Sequence, residues 1–123
     1  MRRYHRSDLP QIDDQYLPDL FAYLDNLNIG VTSGMVPIRA CRVIQYVTES
    51  KDFTVDHPAA DIPIILSQEY EIMDGNHRWE TKRRQAYDHI GAHTIGRPTH
   101  LLLPILLAFP KAYRADTSNQ KVA

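Results

Sequence analysis

An apolar run that ends in a glycine turn governs how this chain can fold. Ile62-Pro63-Ile64-Ile65-Leu66 leads through Ser67-Gln68-Glu69 into the alternating Tyr70-Glu71-Ile72-Met73, the pattern of a β-hairpin. Asp74-Gly75 stops the second strand. The residues from Asn76 to Ile90 then place Trp79, Ala86, Tyr87 and Ile90 on one helical stripe, with Gly91 as its terminator. Lys82 and Arg83 interrupt that stripe, although long basic side chains reach water from partly buried positions. A strand therefore runs through a tight turn into a helix, and the fold must contain both kinds of element.

Elsewhere the pattern is coarser. Residues 1–17 carry few apolar side chains and are predicted to form an extended lead-in with Leu9-Pro10-Gln11-Ile12 as its payload. Pro18 opens a short amphipathic helix through Leu20, Phe21, Leu24 and Leu27, stopped by Asn28 to Gly30. One strand is predicted between Met35 and Val47, broken near its start by Pro37, and a loop or a short turn of helix over Lys51 to Asp61. A last strand through Thr99 to Leu103, or a helix over Leu101 to Phe109 despite Pro104, fits the final apolar run. The main domain is thus expected over 18–113, with residues 114–123 as a mobile polar tail.

The 123 residues leave room for one core. Fourteen Lys and Arg against fifteen Asp and Glu give a net charge of -1, so there is no global positive field for nucleic acid and any such site must be local. A single cysteine, Cys41, forms neither an internal disulfide nor a multi-thiolate zinc site. With no signal-like apolar stretch in Met1 to Asp8, a cytoplasmic location is expected. The window Leu101 to Phe109 is less than half of the ~20 residues needed to cross a bilayer, so no membrane partner is expected. Its leucines either close the core or form a homodimer patch, and a chain this short needs them inside.

The turn from Asp74 to Arg78 carries the chemistry. First-turn amides lack helical partners and the macrodipole is positive there, so a strand running through Gly75 into a helix makes an anion site. Arg78 adds a planar donor fork suited to phosphate oxygens, and His77 can donate a hydrogen bond or move a proton near neutral pH. An ordinary structural account also fits: Asp74 caps the helix, Gly75 makes the turn, Arg78 pairs with a surface acid and His77 fills space.

The string from Pro63 to Trp79, with Asp74-Gly75-Asn76-His77-Arg78 at its centre, resembles the signature of the ParB/sulfiredoxin superfamily. Leu9-Pro10-Gln11-Ile12, the helix near 18–27 and Gln45 are similar to the N-terminal half of small ParB-like proteins, many of them phage or plasmid encoded. The resemblance implies a compact single-domain α+β fold, a small mixed sheet with flanking helices. It also implies a nucleoside triphosphate or diphosphate as partner, with phosphates at Gly75, Asn76, His77 and Arg78. Relatives include an ATP-dependent sulfinic-acid reductase, a free-serine kinase, CTP-binding clamps and reported nucleases.

Asn76 stands where the reductase has its catalytic cysteine, which argues against that activity. The segment after this domain is too short for the helix-turn-helix and dimerisation regions of a clamp. NTP hydrolysis or phosphoryl transfer is then the expected activity, with His77, Asp74 and Glu71 as candidate catalytic groups. Mg²⁺ is expected to arrive with the nucleotide, with Asp74 or Glu71 as its protein donor and no metal site of the protein's own.

A DNA-binding or metal-dependent nuclease domain is the alternative, with Lys82, Arg83 and Arg84 as nucleic-acid contacts opposed only by Glu80. A non-catalytic binding protein that keeps the fold is the third. His89, His93 and His100 invite a metal site only if one helix carries the first two, and Gly91 argues against that.

Overall fold

The computed structural model describes residues 3–45 and 61–114. In chain order its elements are β1 (Pro10–Gln11), α1 (Leu17–Asn26), β2 (Val31–Pro37), β3 (Ile64–Leu66), β4 (Ile72–Asp74), α2 (Asn76–Arg84), β5 (His89–Ile95), α3 (Thr99–Leu107) and β6 (Tyr113–Arg114). The class is α+β. Four strands form a mixed sheet in the order β2-β5-β3-β4, and β1 pairs antiparallel with β6 in a separate ribbon.

The unbroken apolar run of β3 is explained by burial on both faces. Ile65, Met73 and Ile95 face Leu20 and Leu24 of α1 and Leu102, Leu103 and Leu106 of α3. Ile64, Leu66, Ile72, Ile90 and Ala92 form the opposite core, on which Trp79 of α2 packs. The leucines near the end of the chain accordingly enter the core, while Leu101 stays exposed.

The expected hairpin of β3 and β4 is present, with a register shift at Ile65/Leu66. Its turn is tied to α3: Ser67 Oγ accepts from the Thr99 hydroxyl at 2.9 Å, and Glu69 Oε1 accepts from the Thr99 amide at 2.8 Å. Helix α1 ends in a Schellman motif, with Asn28 in the left-handed region and the Ile29 amide bonded to the Leu24 carbonyl. Of its expected apolar stripe, Leu20 and Leu24 are fully buried, whereas Leu27 is exposed.

Three expectations are corrected. The helix predicted to reach Ile90 stops at Arg84, because Ala86 takes φ 62° and the Tyr87 amide closes on the Lys82 carbonyl, again as a Schellman motif. Ile90 and Gly91 belong instead to β5, which is antiparallel to β2 along its whole length and parallel to β3. The single strand predicted from Met35 onward is split. β2 ends at Pro37, Ile38–Ala40 make a 3₁₀ turn, and Arg42 pairs with Glu71 beside β4. Finally, the lead-in expected to lack regular structure holds 3₁₀ turns at Arg6–Asp8 and Asp14–Tyr16 besides β1.

Thr99–Leu107 are helical and Pro104 lies on the exposed side. Arg114, expected to start the tail, pairs with Pro10 in β6. The tail beyond it and most of the Lys51–Asp61 loop lie outside the described residues. Among the described residues no helix is long and apolar enough to cross a membrane.

Ala86 holds a conformation that costs a non-glycine residue roughly 1–2 kcal/mol. Ala86→Gly is therefore expected to raise the unfolding free energy by about 1 kcal/mol in urea titration, the strain relieved outweighing the flexibility added to the unfolded chain. A loss of stability would contradict the helix end described.

Candidate functional site

Strand β4 and helix α2 meet at Gly75, whose φ of 108° is a conformation open to glycine. A Cβ there would stand 2.5 Å from Ile64 Cγ2 and 2.8 Å from an Arg78 guanidinium nitrogen. The turn thus lies on β3, and the Arg78 side chain folds back across it. Gly75 is itself the N-cap, and the first helical bond runs from the Trp79 amide to the Gly75 carbonyl at 2.9 Å. The amides of residues 76–78 precede that bond and have no acceptor within the helix.

A cleft of about 270 Å³ opens in front of this turn, lined by Gly75, Asn76, His77 and Arg78. Its other walls come from distant parts of the chain: Arg6, Asp13 and Asp14 from the lead-in, Gln45, Ile62, and Tyr113 of β6. Gln45 arrives because the chain crosses under α2 after β2. The Ile38 carbonyl accepts from Trp79 Nε1 at 3.0 Å, the Arg42 amide bonds to the Tyr70 carbonyl, and Gln45 pairs with Tyr4.

Asp74 lines the cleft but is 7 % exposed. One of its oxygens accepts from the Ile12 amide at 3.1 Å, and the other lies 3.7 Å from the Arg78 guanidinium. It does not cap α2, as the ordinary structural account proposed; no side-chain cap bond is present. Its partner is the lead-in, which it holds against the turn. Burial pushes the Asp74 carboxyl above the usual aspartate range, against the downward pull of Arg78 and of the Ile12 and Gly75 amides.

The sequence brought His77, Gly75, Asn76, Arg78 and Asp74 to one place, and all line the cleft. Glu71 does not. It precedes β4 while the turn follows it, and strand rise separates Glu71 from Asp74 by roughly 10 Å. Lys82, Arg83 and Arg84 also lie off the cleft. Lys82 pairs with Asp61 at 2.9 Å, and Arg83 and Arg84 both bond Glu80, holding its carboxyl below the usual range.

His89 and His93 lie on β5, not on a helix, and His93 Nδ1 is 2.7 Å from Ser33 Oγ. Among the described residues no three His, Cys, Asp or Glu side chains are grouped to hold a metal. Cys41 is buried, which pushes its thiol up to about 11. The cleft residues that sequence reasoning left out of the site are Arg6, Gln11, Ile12, Asp13, Asp14, Gln45, Ile62 and Tyr113. Of these, Gln11, Ile12 and Gln45 carried a signal, their resemblance to small ParB-like proteins.

Compared with family models, curated proteins and solved structures, the chain matches none of them. Two predictions test the site as described. Gly75→Ala adds a methyl group where Ile64 and Arg78 leave no space and φ is positive. A loss on the order of 1–3 kcal/mol is expected in denaturant titration.

The second concerns Asp74. Because folding raises its pKa, the stability this group contributes is full below the unfolded value near 3.8 and is lost as pH rises through the raised folded value. Asp74→Asn keeps an acceptor for Ile12 and lacks the charge. Its stability relative to the wild type should therefore be greater at neutral pH than in acid, with the difference falling as pH drops toward 3.8. Parallel pH profiles for the two proteins would refute the assignment.

Proposed function

We propose that this chain is a nucleotide-binding protein of the ParB/sulfiredoxin type that holds phosphates at the Gly75–Arg78 turn and carries out NTP hydrolysis or phosphoryl transfer. The observation that supports the reading is the cleft itself. It opens in front of a helix N-terminus and collects two arginines, Arg6 and Arg78, from separate segments. Helix N-terminal amides and guanidinium forks are the groups that stabilise the charge of a phosphoryl group in transfer.

In this reading Arg78 and the first-turn amides hold the phosphates, and His77, at the same wall, is the group for proton movement. Asp74 organises the site without entering the chemistry, since its oxygens face the Ile12 amide and Arg78. For the same reason, and because burial favours its protonated form, it does not fit as a Mg²⁺ donor. Asp13 and Asp14 do fit: both are exposed carboxylates at the cleft and suit a cation that arrives with the nucleotide. Ile62 and Tyr113 add to the lining the apolar surface that a base or ribose needs.

Thermal melts with ATP, ADP, CTP and GTP, each with and without Mg²⁺, test this reading. A ligand at about 100 times its Kd adds roughly 2.7 kcal/mol, which for a domain of this size raises Tm on the order of 10 °C. Arg78→Ala and His77→Ala are expected to abolish the shift, each measured from its own baseline. No shift of the wild type with any nucleotide would end the proposal.

A further inference from the structure

Gln45 is a buried polar side chain whose donor the site has not used. It is 3 % exposed and lines the cleft beside the turn. Its Oε1 accepts from Asn76 Nδ2 at 3.1 Å, which leaves Nε2 with no hydrogen-bond partner among the described residues. Nε2 is not one of the buried atoms that lack a partner, so it reaches the open space of the cleft, where a ligand acceptor can take the place of water. Asn76 opposes a turn of Gln45 by itself. If Gln45 alone turned over, its NH₂ would meet the NH₂ of Asn76, donor against donor.

We propose that Gln45 is a ligand-binding residue of the cleft, donating through Nε2 to a phosphoryl oxygen held at the Gly75–Arg78 turn, and that the Asn76 side chain positions it. The inference rests on the reading of the cleft as a phosphate site and adds to it a neutral donor beside the first turn of the helix. The role of Asn76 is thereby divided. Its backbone amide belongs to the first turn of α2, while its carboxamide aims Gln45. An ionised phosphoryl oxygen offers only lone pairs and matches a donor presented in this orientation. The same chemistry is presented by a nucleotide and by inorganic polyphosphate.

Calorimetric titration with ATP–Mg²⁺ and with inorganic tripolyphosphate separates these sources and tests the proposal. Gln45→Leu removes one neutral hydrogen bond and is expected to weaken both ligands about 3- to 10-fold. Gln45→Glu keeps the shape but sets an anion in place of the donor, and a loss of at least roughly 30-fold is expected. Asn76→Ala should weaken binding about as much as Gln45→Leu, and the double variant Asn76→Ala, Gln45→Leu no more than either alone, because one acts through the other.

Independently of whether the variants fold, the side-chain amide resonances of Gln45 in the ¹⁵N-labelled wild type should shift on saturation with tripolyphosphate. If the wild type binds while these resonances stay in place and Gln45→Glu retains wild-type affinity, the role of Gln45 is overturned and the phosphate reading stands. A loss confined to ATP would place Gln45 on the nucleoside and overturn the phosphoryl contact. Failure of the wild type to bind either ligand would remove the phosphate reading and this inference with it.

Discussion

The contact between Gly75 and Ile64 is the constraint on which the rest of the site depends. No methyl group fits between them, and the space a side chain would take is shared with the Arg78 guanidinium. One missing Cβ therefore does two things. It lets the chain leave β4 at positive φ and drop onto β3, and it leaves Arg78 room to fold back over the turn. Any side chain at this position would displace Ile64, which is fully buried, or the arginine, and the buried core is the harder to move. The turn's form and its positive charge have a common origin.

The remaining walls of the cleft are long-range products. Asp74 reaches back to Ile12, 62 residues earlier, and so sets the lead-in against the end of β4. The antiparallel pairing of Gln11 with Tyr113 then brings the far end of the chain to the same place. Gln45 comes by a third route, through the crossing under α2 that Trp79 pins at Ile38. A buried carboxylate with the Ile12 and Gly75 amides beside it and an arginine at 3.7 Å gains little net stability from being charged, as its raised pKa reflects. Its value to the fold lies in location, because it joins the segment that supplies Arg6 and Asp13 to the segment that supplies Arg78.

How much of this was legible in the sequence follows from the range of each interaction. The β3–β4 hairpin and the glycine turn depend on neighbours within a few residues, and their pattern could be read directly. The end of α2 was hidden because Ala86 occupies the left-handed cap position where glycine or asparagine is the usual signal. With that stop unseen, Gly91 took its place as terminator and the first residues of β5, the strand between β2 and β3, were absorbed into the helix. At α1 the same motif uses Asn28, and there the stop was found. Gln45, Arg6 and Tyr113 meet the turn through pairings that no local period encodes, so the site was read as a single loop when it is a loop with three added walls.

Those walls also change the electrostatics that the turn alone suggested. Arg6 and Arg78 face the cleft together with Asp13, Asp14 and Asp74, so the site is not a simple basic pocket. A bare polyphosphate entering it would meet two guanidinium groups but also the exposed carboxylates of Asp13 and Asp14. The unfavourable part of that encounter is offset if the phosphate carries a divalent cation, since the same carboxylates then become donors and not repelling charges. Asp74 stands apart from this exchange, buried and directed at Ile12 and Arg78. In the proposed reading, the cleft is thus matched to a metal-bound phosphate, with the anion read by Arg78, the helix amides and Gln45 and the cation by the lead-in.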